Sequence, residues 1–210
     1  FGEVTGAELD RIEDFFQQRG AAVFHEVSPL ADTALLPLLN ERGYQSVEFT
    51  NVLYRPIRLG LSLAVSRKER IQVRLMQDTE RELWTNVMAR GWNEMPELAA
   101  SIREMGDISS QMVGTLSFFA EMDQQPIATA VLCLNDGVAV LTGASTIPEA
   151  RKQGAQLALF ERRLQHAAER GCDMAMICAQ PGSASQRNAE RHGFRIAYTR
   201  IKWRLAKGGG

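Results

Sequence analysis

The stretch of residues 138–165 constrains the fold of this chain more than any other, because it combines a strand, a turn and a helix. Residues 138–146, VAVLTGAST, form an apolar run that is typical of a buried strand. Residues 151–154, RKQG, follow as a basic corner, and apolar residues then recur at helical spacing. The apolar face of that helix consists of Leu157, Phe160, Leu164, Ala167 and Ala168, and the opposite face of Arg162, Arg163, Gln165 and Glu169.

The corner at residues 151–156 has the chemistry of an anion site. The first N–H groups of a helix have no acceptor within the helix, and the helix dipole places partial positive charge at the same end. Gly154 lets the backbone come close to a ligand, and Arg151 and Lys152 add charge. We therefore expect this loop to bind a diphosphate. The alternative interpretation is a solvated basic helix start.

Length and composition limit the classes of protein to consider. The chain has 210 residues, of which 45% are apolar and 23% charged, as in a globular protein with one large domain or two small ones. The net charge is −1, with both signs interspersed, which argues against a nucleic-acid surface and against a polybasic membrane patch. No apolar run reaches the roughly 18 residues of a membrane-spanning helix, so no membrane partner is expected.

The cysteine pattern favours a reducing compartment. Cys133, Cys172 and Cys178 lie in apolar stretches and are odd in number, so we expect reduced core thiols in a cytoplasmic protein. No closely paired cysteines and no cluster of cysteine and histidine predict a metal site.

Hydrophobic periodicity and turn residues predict alternating helices and strands along the chain. Helices are expected over residues 5–20, 32–42, 79–91, 97–105 and 184–192, with a loop at 107–111. Strands are expected over residues 21–27, 44–55, 71–76, 115–122, 127–134, 138–146 and 174–179, with a final extended pair or hairpin over 194–205.

Several local signals refine these elements. Thr5 with Glu8, and Thr79 with Glu82, have the spacing of a capping box at a helix start. The second of these helices is expected to carry Leu83, Val87 and Met88 as its apolar residues and to run toward Gly91. Asn135-Asp136-Gly137 predicts a hairpin turn, and Gly143 inside the following strand predicts a β-bulge.

A weak internal repeat links residues 41–55 with residues 191–204. Arg42-Gly43-Tyr44 before one extended segment echoes His192-Gly193-Phe194 before the other, and each follows a strand, a proline turn and a helix. Residues 1–62 therefore resemble the second half of the fold unit that the C-terminal part contains. The alternative is two unrelated segments.

The order of elements over residues 71–205 resembles the GNAT (GCN5-related N-acetyltransferase) superfamily. Its signature loop, Arg/Gln-x-x-Gly-x-Gly/Ala, is matched by residues 151–156, with Gln156 in place of the last small residue. Its second signature, a helix that ends in an aromatic residue after glycine, is matched by residues 183–194, SASQRNAERHGF. The resemblance covers about two-thirds of the chain, and its specificity comes from finding both signatures with a strand between them.

This resemblance implies an α/β (α+β) fold with a mixed, mostly antiparallel central sheet flanked by helices. It also implies that residues 1–62 are a degenerate, partial second GNAT-like lobe before an acyltransferase domain at 63–206, with a flexible tail at 207–210. Because the first residue is Phe1 and not methionine, we expect the natural chain to begin upstream.

The resemblance also implies acetyl-CoA as co-substrate and direct transfer of its acetyl group to an amine. The arm of the cofactor is expected to lie along the strand that precedes the loop, where a backbone N–H near residues 143–145 would polarise the thioester carbonyl. The implied cofactor-binding residues are Ile147, Arg151, Lys152, Gln153, Gly154, Ala155, Gln156, Ser183 and Asn188. For Ser183 the alternative is a helix N-cap, and for Asn188 a solvated helix face.

The groups that would move protons depart from the family pattern. Many members carry a tyrosine four residues before the glycine of the second signature, and this chain has Ala189 there. Many also carry a carboxylate on the strand before the loop, and residues 138–146 contain none. The remaining candidates for proton transfer are Glu121, Ser145, His25 and Glu26, with water as the alternative.

Three functions are consistent with these observations. The first is an acetyl-CoA-dependent N-acetyltransferase that acts on an unidentified small-molecule or peptide amine, as a monomer or homodimer. The second is a non-catalytic module that binds acyl-CoA and regulates another process. The third is an acyltransferase for a protein or peptide N-terminus, with residues 1–62 as the docking surface.

Overall fold

The computed structural model describes residues 3–57, 70–92 and 99–206. The chain forms two compact units, one of Phe1–Leu53 with Cys178–Gly210 and one of Tyr54–Ile177. Three predictions fall outside the described residues: the boundary between residues 62 and 63, the first residues of the helix at 97–105, and the tail at 207–210. The division of the chain into domains at residues 1–62 and 63–206 stays a prediction.

The first unit contains a sheet in the order β1-β8-β2 and three helices. Its elements are α1 (Gly6–Gln17), β1 (Phe24–Val27), α2 (Leu35–Glu41), β2 (Tyr44–Pro56, which continues into the second unit), α6 (Ala184–Arg191) and β8 (Arg195–Leu205). β1 and β8 are antiparallel, from Phe24 opposite Arg204 to Val27 opposite Ile201. A small core of buried side chains lies against them: Leu9, Val23, Val27, Leu39, Tyr44 and Trp203.

The predicted N-terminal capping box is present in this unit. The Thr5 hydroxyl accepts a hydrogen bond from the N–H of Glu8, and the Glu8 carboxylate accepts one from the N–H of Thr5. The guanidinium of Arg42, after α2, forms ion pairs with Asp10 and Glu13 on α1. These contacts join the two helices at the edge of the small core.

The second unit contains a sheet in the order β7-β6-β5-β4-β3. Its elements are β3 (Ile71–Leu75), α3 (Arg81–Arg90), α4 (Ala99–Gln111), β4 (Thr115–Met122), β5 (Gln125–Asn135), β6 (Val138–Thr146), α5 (Ala155–Glu169) and β7 (Met174–Ala179, which ends in the first unit). β3, β4, β5 and β6 pair antiparallel, and β6 pairs with β7 in parallel. The predicted fold class, a mixed and mostly antiparallel sheet with helices, is confirmed.

Two tight hairpins connect the antiparallel strands of this unit. Asp136 and Gly137 join β5 to β6 with φ values of 46° and 77°, and Asp123 and Gln124 join β4 to β5 with 51° and 66°. Positive φ at both central residues matches the right-handed twist of the flanking strands. The predicted hairpin at residues 135–137 is therefore confirmed.

Two details of α3 differ from the sequence-based expectation. The capping box before α3 is formed by Gln77 and Glu80, and the predicted pair Thr79 and Glu82 is wrong. Glu80 takes this position because the guanidinium of Arg74 holds its carboxylate through two hydrogen bonds of 2.7 Å. Of the apolar residues predicted for α3, Val87 and Met88 are buried, whereas Leu83 is 45% exposed and the adjacent Trp84 is fully buried.

The helix α4 is longer than predicted and includes the expected loop at residues 107–111. Gly106, which follows the predicted end of the helix at residue 105, is buried and packs on α3. A Cβ atom at Gly106 would lie 3.1 Å from the Met88 sulfur and 3.5 Å from the Trp84 ring. The glycine thus allows close packing of the two helices. The last segment is one strand, β8, and not a hairpin.

Among the described residues, no helix combines the length and the apolar character needed to cross a membrane.

Candidate functional site

A β-bulge interrupts the pairing of β5 and β6. Thr129 lies opposite Ser145 and Val131 lies opposite Thr142, so two residues of β6 face a single residue of β5. Gly143, one of the two, has a φ of 57°, and a Cβ atom there would lie 2.8 Å from Cγ2 of Val131. Both the backbone conformation and the close packing require glycine. The predicted bulge is confirmed.

Beyond the bulge, β6 extends past its parallel neighbour. The ladder with β7 runs from Val138 opposite Met174 to Leu141 opposite Ile177, while β6 continues to Thr146. Thr142 and Ala144 are exposed in this last part. A strand that extends past its partner presents backbone N–H and C=O groups to an extended ligand.

The 151–156 loop follows directly and leads into α5. Ile147 closes the ladder by donating its N–H to the Ile127 carbonyl at 3.0 Å, and a single 3₁₀ turn, Pro148–Ala150, comes next. Lys152 and Gly154 have φ values of 62° and 98°, and Gly154 is the N-cap of α5 without a side-chain cap. The backbone N–H groups of the first turn therefore lack an intrahelical acceptor.

The side chains of this loop mainly bond to neighbouring parts of the same unit. The Arg151 guanidinium donates to the carbonyl of Gly91 at 2.9 Å, and the Gln156 amide donates to the Thr146 hydroxyl at 2.7 Å. Gln153 donates to the Glu149 carbonyl at 3.3 Å. Gln156, the departure from the family signature, thus joins the helix start to the end of β6. These contacts are consistent with a loop that acts through its backbone.

Arg163 on α5 was predicted on the solvent face, and this prediction is wrong. Its side chain is fully buried, since it lies on the same stripe as Leu159 and Ala167. Its Nη1 donates to the carbonyls of Val131 at 2.9 Å and Thr142 at 3.1 Å, and its Nε donates to Leu159 at 3.1 Å. Burial lowers the pKa of Arg163 to about 9, which leaves the guanidinium charged at neutral pH.

Glu121, a candidate base, lies in an ion-pair network at the β3–β4 edge. Its carboxylate accepts hydrogen bonds from Arg74, whose guanidinium also binds Glu80 and lies 4.9 Å from the centre of the Phe119 ring. These two carboxylates raise the pKa of Arg74 further above its ordinary value, opposed by burial. A catalytic role for Glu121 stays a prediction.

Ser145, the other catalytic candidate, is 4% exposed and faces α3. Its hydroxyl donates to the carbonyl of Met88 at 2.8 Å. A Cβ atom at Gly91 would lie 1.8 Å from the Ser145 Oγ, so the end of α3 rests directly on β6 at this point. The structure thus gives Ser145 a packing role, and its catalytic role stays a prediction.

The predicted cofactor ligands of the first unit lie on α6. The Ser183 hydroxyl caps this helix by accepting the N–H of Gln186 at 3.1 Å, so the N-cap interpretation is confirmed for Ser183. Asn188 is half-buried, and its backbone carbonyl oxygen lies 2.6 Å from Nδ1 of His192. Ala189 is fully buried. Cofactor contacts of Ser183 and Asn188 stay predictions.

The two remaining candidates for proton transfer also belong to the first unit and have partners there. Nε2 of His25 lies 3.0 Å from the Tyr44 hydroxyl, and burial lowers the pKa of His25 although Glu13 opposes this. Glu26 forms an ion pair of 2.8 Å with Arg200. Neither observation tests a catalytic role for these residues.

Comparison with known proteins agrees with this geometry. The model of the acetyltransferase (GNAT) family matches residues 81–194, which is more than half of the chain. No protein with a curated description matches the sequence.

Solved structures share the fold at low sequence identity. A GCN5-related N-acetyltransferase from Kribbella flavida has a TM-score of 0.73 and 20% identity, over 96% of this chain and 75% of that one. A GCN5-related N-acetyltransferase from Sphaerobacter thermophilus has a TM-score of 0.67 and 15% identity, over 97% and 68%. A conserved protein of unknown function from Staphylococcus epidermidis has a TM-score of 0.67 and 14% identity, over 97% and 81%.

The family match begins at α3, includes the bulged strand, the 151–156 loop and α5, and ends at Phe194 after the second signature. The protein therefore belongs to the acetyltransferase (GNAT) family.

Proposed function

We propose that the protein transfers an acetyl group from acetyl-CoA to an amine, and that residues 142–156 bind the cofactor. The observation that carries this proposal is the order, along one stretch, of a bulge, a strand segment that extends past the ladder with β7 and a helix start without a side-chain cap. These three features match the three parts of acetyl-CoA, which are the thioester, the extended amide-bearing arm and the diphosphate.

The diphosphate is assigned to the 151–156 loop. Lys152 and Gly154 in the left-handed region bend the chain around the beginning of α5, and the helix dipole adds partial positive charge. Gly154 is half-buried and has no side chain, which lets a bulky ligand approach the backbone at this position. The arm of the cofactor is assigned to residues 142–146, where amides of the ligand would pair with the strand.

The reaction needs few groups from the protein. The lone pair of the amine attacks the thioester carbonyl carbon, a C–N bond forms, and the C–S bond breaks to release CoA as a thiolate. The negative charge on the carbonyl oxygen is stabilised by a backbone N–H at residues 143–145. One proton leaves the amine and one proton reaches the thiolate sulfur.

We propose that water carries these protons. The usual tyrosine is replaced by the buried Ala189, and β6 supplies no carboxylate. Glu121 and Ser145 already bond to Arg74 and to the Met88 carbonyl. The rate would then follow the protonation state of the acceptor amine, so that kcat/KM rises with pH up to the pKa of that amine.

The internal repeat supports the proposal that residues 1–62 derive from a second GNAT-like lobe. Gly43 and Gly193 follow the helices α2 and α6, and both have a φ of 80°. Tyr44 and Phe194, the next residues, are both 3% exposed. The two helix-to-strand connections thus share a left-handed glycine that is followed by a buried aromatic residue.

The test is binding of acetyl-CoA by the wild type and two matched glycine variants. Acetyl-CoA should raise the Tm of the wild type by mass action, by about 2.7 kcal/mol of stability at 100 times Kd. Gly154→Asp should abolish this shift, because it places a carboxylate at the helix start. Gly171→Asp should retain it, since Gly171 follows α5 at the other end, has a φ of 77° and faces open space. A full shift in Gly154→Asp would contradict the assignment.

The second candidate function, a non-catalytic acyl-CoA-binding module, is favoured by the alanine at position 189. It predicts the same Tm shift with no release of CoA thiol across a panel of primary amines. Steady release of thiol with any one amine, absent in Gly154→Asp, would exclude this second function.

A further inference from the structure

The buried guanidinium of Arg163 has an unusual set of partners. Its hydrogen bonds go to the carbonyls of Leu159, Val131 and Thr142, and within the described part of the chain it forms no ion pair with a carboxylate. A buried charge without a counterion costs more than an apolar side chain of similar size. The position therefore requires an explanation beyond packing of α5.

Two of these carbonyls flank the bulge. Val131 and Thr142 are the last paired residues before Gly143, and one atom of Arg163, Nη1, donates to both of them. The guanidinium thus joins β5 to β6 at the place where the regular ladder is disrupted. Without it, the buried carbonyl of Val131 and the part-buried carbonyl of Thr142 would both lose this donor.

The contact between Arg163 and the Thr142 carbonyl also sets the direction of the Gly143 N–H group. The carbonyl of Thr142 and the N–H of Gly143 belong to the same planar trans peptide and point in opposite directions. When Arg163 on α5 holds the Thr142 oxygen, the Gly143 N–H is turned away from α5. The positive charge also lies next to the peptides that would face a developing oxyanion.

We propose that Arg163 is a positioning residue for acyl transfer, which fixes the bulge so that its N–H groups polarise the thioester carbonyl. This inference rests on the proposed function for the reaction, but the effect on the bulge is a property of the protein alone. It assigns a role in catalysis to a side chain that contacts neither substrate.

The first measurement needs no ligand. Amide hydrogen exchange of peptides covering residues 138–146 should be at least about 10-fold faster in Arg163→Met than in the wild type. The matched control is Arg162→Met, since Arg162 is the adjacent residue and pairs with Glu169 at the surface. It should leave exchange in residues 138–146 unchanged. Equal exchange in Arg163→Met and the wild type would overturn the inference.

The second measurement reports on the carbonyl itself. Acetyl-CoA labelled at its carbonyl carbon should show an infrared carbonyl band at lower frequency when bound to the wild type, and a smaller displacement when bound to Arg163→Met. With a reactive amine from the panel, kcat should fall about 10- to 100-fold while KM for acetyl-CoA changes less than about 2-fold. An unchanged band and kcat in a folded Arg163→Met would overturn the inference.

A conservative variant keeps the test decisive if Arg163→Met does not fold. Arg163→Lys retains a charge and donors but cannot reproduce the fork of the guanidinium, so we expect exchange about 3-fold faster and a partial loss of kcat. Wild-type exchange and kcat in Arg163→Lys would overturn the inference. Absence of acetyl-CoA binding by the wild type would instead overturn the proposed function, and with it the role in transfer.

Discussion

The guanidinium of Arg151 donates a hydrogen bond of 2.9 Å to the carbonyl oxygen of Gly91. Gly91 is the C-cap of α3, so this bond joins the end of that helix to the beginning of the 151–156 loop. A cation at this position is also favoured by the dipole of α3. Arg151 therefore supports the shape of the loop from within the protein, and this role can be separated experimentally from binding the charge of a ligand.

Arg151→Ala should lower the Tm by about 2–4 °C, which corresponds to about 1 kcal/mol for one charge-assisted hydrogen bond at a half-buried site. The dependence of the acetyl-CoA Kd on salt should stay close to that of the wild type. The matched variant is Lys152→Ala, which removes an exposed cation of the same loop. It should leave the Tm unchanged and weaken the salt dependence. An unchanged Tm together with a weaker salt dependence in Arg151→Ala would show that Arg151 contacts the phosphates.

Gly143→Ala should destabilise the protein by about 2–4 kcal/mol, measured by urea unfolding. Roughly 1–2 kcal/mol comes from a left-handed alanine, and the rest from contact of the new Cβ with Cγ2 of Val131. Gly171→Ala isolates the first contribution, because Gly171 has a φ of 77° and no atom within 4 Å of the place that a methyl group would occupy. Val131→Ala in the Gly143→Ala background should recover part of the loss. Equal losses in Gly143→Ala and Gly171→Ala would contradict the contact.

The sequence was sufficient for the parts of this site that depend on local signals. The apolar run of β6, the Asp136-Gly137 turn and the glycine at position 154 each specify a backbone conformation within a few residues. The family resemblance adds their order. For these reasons the bounds of β6 and the bulge at Gly143 could be predicted before the structure was known.

Arg163 could not be assigned in this way. A charged residue beside a charged residue on an amphipathic helix usually faces solvent, and the carbonyls that Arg163 binds belong to strands more than 20 residues away. Those carbonyls lie next to the bulge, where the regular pairing of β5 and β6 is interrupted. The one local signal was spacing, since Arg163 lies four residues after Leu159 and four before Ala167 on α5.

The end of α4 and the cap before α3 could not be predicted for a related reason. Glycine often follows the end of a helix, and threonine is a better N-cap than glutamine, so local preferences favour a helix that ends at residue 105 and a cap at Thr79. The structure overrides both preferences with tertiary contacts, which are the packing of Gly106 on Met88 and the ion pair between Arg74 and Glu80.

Ser145→Ala should show whether this hydroxyl has a structural or a catalytic role. Loss of the hydrogen bond to the buried Met88 carbonyl should cost about 1–2 kcal/mol, or about 2–8 °C in Tm. Because the hydroxyl faces α3, kcat should remain within about 3-fold of the wild type. A control is Ser110→Ala, which removes a hydroxyl bonded to Asp107 nearer the surface and should have a smaller effect. A loss of kcat above about 100-fold with an unchanged Tm would establish a catalytic role.

His166 should make the stability of the protein depend on pH. Its ring is 6% exposed and packs edge-on against Phe118, with ring centres 5.8 Å apart. Burial lowers the pKa of His166 below its ordinary 6.5, and the positive charges of Arg170 and Arg162 lower it further, whereas Glu169 opposes them. The carboxylate of Glu169 is 3.7 Å from Nδ1, which is too long for a hydrogen bond.

The protein should lose stability at acidic pH, because the pKa of His166 is lower in the folded protein than in the unfolded chain. The unfolded chain takes up a proton on His166 at a higher pH than the folded protein does, so stability is complete above about pH 6.5 and falls as the pH drops through the folded pKa. His166→Phe keeps an aromatic ring and removes the titration. The Tm of the wild type relative to His166→Phe should therefore be lower at about pH 5 than at about pH 8. A Tm difference that is the same at both pH values would exclude His166 as the titrating group.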